Sequence, residues 1–223
     1  IKGALEEVFK DAEERNGNLR IVMLTNGNRA MLETMFPDKF DYVRSPENQD
    51  YIYTSRDLAT LAGKRFHAKR NHISKFYRTY TDTRFETLSD SNIPDALTVA
   101  KLWCAENDTD PEASSEITAI REMCDLKDEY NVKGAVLYVD SKPVAMTLGS
   151  EISPKVYDIN FEKALREYDG VYAVINNEFA KTLTQYEYIN REEDMGLEGL
   201  KKSKLSYNPV IILDRWNAIP KKR

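Results

Sequence analysis

The sequence contains few cysteines and no long apolar run, and each shortage excludes a class of protein. Two cysteines, Cys104 and Cys124, are too few among 223 residues for a disulfide scaffold. Apolar runs such as residues 210–213 have the length of a strand, whereas a spanning helix needs roughly 18 apolar residues. No basic-then-apolar leader is visible. We therefore expect a cytoplasmic protein with no membrane anchor.

Two kinds of catalytic motif are also missing. No cysteine and histidine spacing is typical of a metal site, so no metal is expected. The Gly-x-Ser-x-Gly turn of the α/β-hydrolases is absent as well. What remains is an ordinary globular composition, with 41% hydrophobic and 31% charged residues.

The net charge of -5 is unevenly distributed. Residues 58–81 contain no acidic residue and carry +6, so the other 199 residues sum to -11. Local charge sets the field that an anionic partner meets. Two interpretations stay open for this segment: a solvated helix face, or a surface that binds phosphate groups. Its cations are Lys64, Arg65, Lys69, Arg70, Lys75 and Arg78.

The spacing of apolar residues predicts helices and strands in mixed order, which is typical of an α/β or α+β fold with a mixed sheet. Helices are predicted over residues 4–15, 29–35, 55–63, 64–80, 91–103, 114–129, 171–183 and 197–202. Strands are predicted over residues 19–24, 50–53, 84–88, 134–139, 143–149, 156–162, 186–190 and 207–213, the last strand of the chain.

The strand at 156–162 has a regular alternation. Its apolar residues at 157, 159 and 161 fall on one face, while Asp158, Asn160 and Glu162 fall on the other. This polar row is either a wet outer face of the sheet or the wall of a cleft. In a cleft, a carboxylate can accept a proton from an attacking amine, which must be neutral to act as a nucleophile.

Two segments, residues 64–73 and 190–209, resemble the soluble relatives of the phosphatidylglycerol lysyltransferase C-terminal domain, and the likeness extends over most of the chain. These proteins are similar in layout to two GNAT-type acyltransferase units in tandem. The resemblance implies a GNAT-like mixed sheet flanked by helices. Residues 1–84 would be the end of a first unit with a basic connecting helix, and 85–223 a complete second unit. We expect the chain to be part of a longer protein.

The resemblance also implies an activity, the transfer of an aminoacyl group from a charged tRNA to an amine or hydroxyl acceptor. The acceptor would be a small molecule, a peptide or a lipid headgroup. In a GNAT-like unit two central strands splay apart around the reacting group, and we expect them to be 144–151 and 156–162. Glu162 would accept the proton, with Asp158 and Asn160 beside it. Leu165 stands where the lysyltransferases have an arginine, and Arg166 is one place off, which argues against lipid lysylation.

The remaining site residues follow from the same resemblance. Lys64, Arg65, Lys69 and Arg70 would attract phosphate, while Arg191, Lys204 and Tyr207 would orient the reacting ester, with Tyr207 donating to the oxyanion. A structural alternative stays open for 190–209. In it, Asn190 and Asp194 cap the turn, and Arg191 pairs with Glu192 or Glu193.

Acetyl-CoA is the less favoured donor. A CoA enzyme of the ordinary GNAT kind has a glycine-rich turn whose backbone N–H groups bind pyrophosphate at the start of a helix. The corresponding residues 166–173 contain one glycine, Gly170. We therefore expect no cofactor. A CoA-dependent N-acetyltransferase and a non-catalytic anion-binding module remain the alternatives.

Overall fold

The computed structural model describes residues 1–15, 17, 19–107, 110 and 114–221. None of its helices is long and apolar enough to cross a bilayer. Within this part of the chain there are eight α-helices: α1 (Lys2–Glu14), α2 (Asn26–Met35), α3 (Ser55–Thr60), α4 (His67–Thr79), α5 (Ile93–Glu106), α6 (Ser115–Asp125), α7 (Val171–Lys181) and α8 (Glu198–Leu205). The strands are β1 (Ile21–Leu24), β2 (Phe40–Arg44), β3 (Asp50–Thr54), β4 (Thr83–Thr87), β5 (Lys133–Val139), β6 (Lys142–Ser153), β7 (Val156–Ala164), β8 (Tyr188–Asn190), β9 (Ile211–Leu213) and β10 (Trp216–Pro220).

The predicted helices and strands are confirmed within a turn at most of their ends, and the class is mixed α/β. One predicted strand is wrong in its extent, and two strands were missed. The strand predicted for 207–213 begins only at Ile211, and β10 follows it. Strand β2 was not predicted. Strands β2 and β10 pair with each other in an antiparallel ladder, and each is only five residues long.

The strands form two sheets. One has seven strands in the order β4-β5-β6-β7-β8-β3-β9, and the other has three in the order β1-β10-β2. Each sheet takes strands from both sides of residue 84, because β3 lies between β8 and β9, and β10 lies between β1 and β2. The division of the chain at residue 84 stays a prediction.

Helices cover both faces of the seven-stranded sheet. On one face, α3, α4 and α7 contribute fully buried side chains such as Leu58, Phe76 and Phe179 to the larger core. On the other face, α5 and α6 form a second core with Val136, Met146 and Leu148 of the sheet. Burial on both faces fixes the positions of the central strands β5, β6 and β7.

The strands that diverge are β7 and β8, and the prediction that β6 and β7 splay apart is wrong. Strands β6 and β7 are joined by a tight turn and pair in antiparallel register from Ser153↔Val156 to Ala145↔Ala164. Strands β7 and β8 are parallel and pair over three residues only, the last pair being Asp158↔Asn190. Beyond Asp158, β7 continues to Ala164 without β8 beside it. The gap in the sheet therefore opens between these two strands.

A β-bulge changes the faces of β7 at Asn160. Gly149 is opposite Ile159 and Leu148 is opposite Phe161, so Asn160 has no cross-strand partner. Ile159 packs in the core beside α7, whereas Phe161 packs beside α5 and α6. The prediction that residues 157, 159 and 161 share one face is therefore wrong after the bulge. Glu162 is thereby turned toward α7.

The bulge requires a glycine at position 149. A Cβ at Gly149 would lie 2.1 Å from the carbonyl oxygen of Asp158 and 2.6 Å from the ring of Tyr157. We predict that Gly149→Ala lowers the free energy of unfolding by about 1–3 kcal/mol, as overpacking does. The matched control is Gly3→Ala in α1, where a Cβ meets no atom within 4 Å. Chemical denaturation measures both variants, and equal stability of the two would contradict the prediction.

Candidate functional site

A buried ion pair spans the gap between β7 and β8. Glu162 lies on β7 just after the bulge, and Arg191 is the first residue after β8. Arg191 Nη2 donates to Glu162 Oε1 at 2.8 Å, and the two side chains are 10% and 9% exposed. Asn176 of α7 donates to the other carboxylate oxygen, Oε2, at 2.9 Å. Both oxygens of Glu162 are therefore hydrogen-bonded.

Tyrosine rings pack against the guanidinium of Arg191. Its Cζ lies 4.9 Å from the ring centroid of Tyr207 and 5.8 Å from that of Tyr53. The Tyr53 hydroxyl donates to the Lys204 carbonyl oxygen at 2.8 Å. Burial raises the pKa of Tyr207 to about 12. Tyr207 therefore keeps its proton at neutral pH and can donate a hydrogen bond.

Two lysines lie close to Arg191. Lys69 of α4 has its Nζ 3.9 Å from the ring centroid of Tyr207. Lys204 of α8 donates to the backbone carbonyls of Arg191 and Glu193. Burial, followed by the charge of Arg191, lowers the pKa of Lys69 and of Lys204 to about 8 in each case. This part of the site thus has three cationic side chains, Arg191, Lys69 and Lys204, and one carboxylate, that of Glu162.

Three buried polar atoms around Glu162 have no hydrogen-bond partner among the described residues: Thr147 Oγ1, Asn176 Oδ1 and Arg191 Nη1. Thr147 is directly opposite Glu162 on β6, so the two side chains project to the same face. A buried polar group without a partner costs about 1–3 kcal/mol. Such groups mark a place where water or a ligand completes the hydrogen bonding.

A second polar cluster, which we call the acidic cluster, consists of Asp158, Asn160 and Glu192. The Asn160 side-chain nitrogen donates to Asp158 Oδ2 and to Glu192 Oε1, each at 3.2 Å. Ser150 donates its hydroxyl to Asn160 Oδ1 at 3.1 Å. Burial, followed by the charge of Glu192, raises the pKa of Asp158 to about 7. Burial also raises the pKa of Glu192.

The loop after β8 is held in a defined conformation. Asp194 is buried and accepts hydrogen bonds from the Tyr51 hydroxyl at 2.5 Å and from the Gly196 N–H at 2.8 Å. Asn190 Oδ1 accepts from the Glu192 N–H at 3.1 Å. The capping role predicted as an alternative for Asn190 and Asp194 is confirmed, but Arg191 pairs with Glu162 instead of Glu192 or Glu193. Glu192 has a φ of 54°, a conformation in which non-glycine residues are strained.

The site opens into a cleft with a volume of about 1440 Å³. Its polar lining includes Asn160, Glu162, Arg191, Glu192, Lys204 and Tyr207. Asp158 lies behind Asn160 and does not line the cleft. Apolar side chains from the end of α6 and from the loop after β8 form other parts of the wall, among them Met123, Leu126, Val132, Met195 and Leu197.

The basic segment contributes Lys69 to the site and little else. Lys64 is exposed, Arg65 pairs with Asp57 at 2.6 Å, and Arg70 donates to the carbonyl oxygens of Leu61 and Gly63. None of these three cations lines the cleft. Arg65 and Arg70 thus contact α3 and the turn after it, whereas α4 itself packs against α7 and has an outer basic face.

Helix α4 covers the N-terminus of α7. Gly170, which precedes α7, has a φ of 87°, and a Cβ there would lie 2.9 Å from the carbonyl oxygen of His72. Lys75 of α4 pairs with Asp169 at 2.6 Å. The backbone N–H of Arg166 donates to Glu106 Oε2 at 3.2 Å. In a GNAT-like unit with CoA these backbone groups would face pyrophosphate, whereas here protein atoms occupy their surroundings.

Sequence reasoning did not identify Asn176 or Glu192 as site residues. A signal for Asn176 was present, since Asn176 and Asn177 interrupt an otherwise apolar helix. Both are buried, and Asn177 donates to the carbonyl oxygens of Leu58 and Ala59 at 2.7 and 2.9 Å. Both buried side-chain amides need hydrogen-bond partners. Asn177 finds them on α3, and Asn176 finds one on Glu162.

Comparison with known proteins gives a family and a fold. Residues 1–219 match a family model described as "Phosphatidylglycerol lysyltransferase, C-terminal". The crystal structure of a conserved protein of unknown function from Bacteroides thetaiotaomicron VPI-5482 is 38% identical to this chain. It has a TM-score of 0.90, and the match covers 99% of this chain and 75% of that one.

Two more distant structures show the fold. L-PGS from Bacillus licheniformis is 13% identical, with a TM-score of 0.70 and coverage of 98% of this chain and 73% of that chain. A GCN5-related N-acetyltransferase from Kribbella flavida is also 13% identical, with a TM-score of 0.52 and coverage of 99% and 76%. The predicted GNAT-like mixed sheet flanked by helices is confirmed.

The ion pair across the gap should be strongly coupled. Arg191→Met leaves a buried carboxylate without its cation, so we expect a loss of about 3–5 kcal/mol in the free energy of unfolding. The double variant Glu162→Gln/Arg191→Met should lose less than the sum of the single variants. Asp11→Ala, which removes an exposed pair with Arg15, should change stability by less than about 1 kcal/mol. Additive effects of the two buried substitutions would contradict the coupling.

The lowered pKa of Lys69 predicts a pH dependence of stability. Above a pH of about 8 the folded protein has released this proton, whereas the unfolded chain keeps it up to the ordinary lysine pKa of 10.5. The unfolded state then binds more protons, so stability rises with pH in this window. Denaturation between pH 7 and pH 10 should show the wild type gaining stability relative to Lys69→Met. A constant difference across this range would contradict the lowered pKa.

Proposed function

The chain belongs to the phosphatidylglycerol lysyltransferase C-terminal family, as its motifs predicted, and from that premise we propose that it transfers an aminoacyl group from a charged tRNA to a nucleophilic acceptor. The observation that carries the proposal is the pairing of Arg191 with Glu162 in the gap between β7 and β8. This is where a GNAT-like sheet binds the reacting acyl group, and the pairing gives the gap a fixed hydrogen-bond donor. The reaction belongs in the cytoplasm, where charged tRNA is available.

Arg191 and Tyr207 polarise the ester carbonyl in this proposal. Arg191 Nη1 has no partner among the described residues, and Tyr207 lines the same cleft with a protonated hydroxyl. Donors that are fixed before the reaction stabilise the charge that develops on the carbonyl oxygen in the transition state. Such donors at a site shielded from water are effective because the local dielectric is low.

Glu162 and the lysines position Arg191 and attract the donor. Because Glu162 already accepts hydrogen bonds from Arg191 and Asn176, we assign it the task of orienting the guanidinium. Lys69 and Lys204 add positive charge that favours an oxyanion or a phosphate nearby. Lys64 and Arg65, just before α4, and Arg70 in its first turn lie apart from the cleft. They extend the outer basic face of α4, which suits the phosphates of an RNA backbone.

The surroundings of α7 favour an aminoacyl-tRNA donor over acetyl-CoA. Lys75, Asp169 and the His72 carbonyl bring α4 against the start of α7, where a CoA enzyme needs exposed backbone N–H groups. Glu106 accepts the Arg166 N–H and adds negative charge there. A pyrophosphate would have to displace these groups.

The proposed activity is tested by incubating the protein with a full set of charged tRNAs and following loss of the aminoacyl ester. We expect one tRNA to be deacylated faster than in buffer. Tyr207→Phe should lower the rate about 10²–10³-fold, the usual effect of removing an oxyanion-hole donor. Tyr77→Phe, which removes an exposed hydroxyl that donates to Glu178, is the matched control and should keep the rate.

Two results would contradict the proposal. One is an unchanged ester with every tRNA, which would leave a binding role for the basic face of α4. The other is an equal rate for the Tyr207→Phe and Tyr77→Phe variants. If acetyl-CoA stabilises the protein against heat, the CoA-dependent alternative would be favoured instead.

A further inference from the structure

The cleft is lined by both hydrogen-bond donors and hydrogen-bond acceptors. Arg191 and Tyr207 are donors, while Glu192 and Asn160 bring the acidic cluster to the same cleft. Arg191 and Glu192 are consecutive residues, so a donor and an acceptor are adjacent in the loop after β8. We propose that the acidic cluster binds the acceptor as a primary ammonium group through Glu192, its carboxylate that lines the cleft, and that Glu192 takes the proton. This assignment rests on the proposed function, because it names the acceptor of that same transfer.

A second observation indicates that a ligand completes this part of the cleft. The Arg191 side chain is only 10% exposed, and its Nη1 has no partner among the described residues. A buried guanidinium nitrogen without an acceptor needs one from a bound molecule. The carbonyl oxygen of the ester can supply that acceptor. The reacting carbon then lies beside Arg191, the neighbour of Glu192 in the sequence.

The charges of the acidic cluster suit a cation. Asn160 bridges Asp158 and Glu192 with one amide nitrogen, so it separates the carboxylates without neutralising them. No Lys or Arg side chain forms an ion pair with either carboxylate among the described residues. Two carboxylates in one half-buried site disfavour each other's ionised form. An ammonium group relieves this repulsion, whereas a hydroxyl group brings no compensating charge.

The proton transfer also favours an amine over an alcohol. Burial raises the pKa of Glu192, which makes it a stronger base than an exposed carboxylate. An alkylammonium such as a lysine side chain has a pKa of about 10.4, so the raised pKa of Glu192 reduces the cost of the proton transfer. Water, with a pKa of about 15.7, is a weaker acid than the alkylammonium by roughly five units. Alcohols are similarly weak acids, so they need a stronger base than this cluster.

The step balances without any further reactant. The ammonium gives one proton to Glu192, and the nitrogen lone pair then forms a C–N bond with the ester carbon. The carbonyl π electrons move to oxygen, and Arg191 and Tyr207 stabilise the resulting negative charge. When the C=O bond re-forms, the C–O bond to the ribose breaks. The ribose oxygen takes a second proton from the nitrogen, and the products are an amide, the free tRNA and one proton on Glu192.

The direct test is calorimetric titration of the protein with n-pentylamine and, separately, with 1-pentanol at pH 7.5. The two probes match in chain length and differ in the reacting group. We expect the amine to bind at least about tenfold more tightly. Glu192→Gln should weaken amine binding about tenfold and leave 1-pentanol unchanged. Glu122→Gln removes a charge from another part of the cleft wall and should bind both probes as the wild type does.

Equal binding of the two probes, or unchanged amine binding in Glu192→Gln, would overturn the inference. A thermal melt verifies that the variant is folded, and Asp158→Asn serves as the second variant if Glu192→Gln unfolds. The donor assay keeps the two proposals distinct. Selective amine binding without consumption of any charged tRNA would support the amine site and contradict the tRNA donor. With a consumed donor, n-pentylamine should yield the aminoacyl pentylamide, and hydrolysis alone would contradict the amine acceptor.

Discussion

The rest of the site depends on the ion pair between Glu162 and Arg191, which spans the gap where two parallel strands stop pairing. Loss of the β7–β8 ladder leaves a cleft through the middle of a sheet, and the two charges face each other across it. Taking both charges out of water is costly unless their geometry and hydrogen bonding are good. Asn176 completes the bonding of Glu162, and Tyr207 covers the guanidinium. Arg191 is fixed in this way, and one of its nitrogens, Nη1, has no hydrogen-bond partner among the described residues.

Local patterns were sufficient for most of the secondary structure and insufficient for the arrangement of the sheets. The hairpin β5–β6 and the amphipathic helices are predicted by the spacing of apolar residues within short segments. This spacing can be read without knowledge of distant contacts. Strands β2 and β10 are short, mixed in polarity and paired with segments far away in sequence. The bulge at Asn160 depends on a close approach of Gly149 to the facing strand. The sequence of residues 156–162 does not reveal the bulge, because its apolar and polar residues alternate without a break.

The sequence indicated which residues belong to the site better than it indicated which of them contact each other. Glu162, Lys69, Arg191, Lys204 and Tyr207 were each named, and the fold brings them together from β7, α4, the loop after β8, α8 and the turn after α8. Which charge pairs with which is a long-range property, so the structural alternative paired Arg191 with Glu192 or Glu193, whereas its partner is Glu162. For Lys64, Arg65 and Arg70, local charge density suggested a ligand site, but most of their hydrogen bonds go to α3 and the turn after it.

Hydrogen-bond donors and acceptors line one cleft in this chain. In our proposal Arg191 binds the ester and the acidic cluster binds the nucleophile. The most direct test is a crystal structure of the protein with a 3′-aminoacylamino-3′-deoxyadenosine, an amide analogue that mimics the end of a charged tRNA and is not hydrolysed. The account predicts the analogue in the gap between β7 and β8, with its carbonyl oxygen within about 3.2 Å of Arg191 Nη1. An analogue bound elsewhere, with Arg191 making no contact to it, would contradict the account.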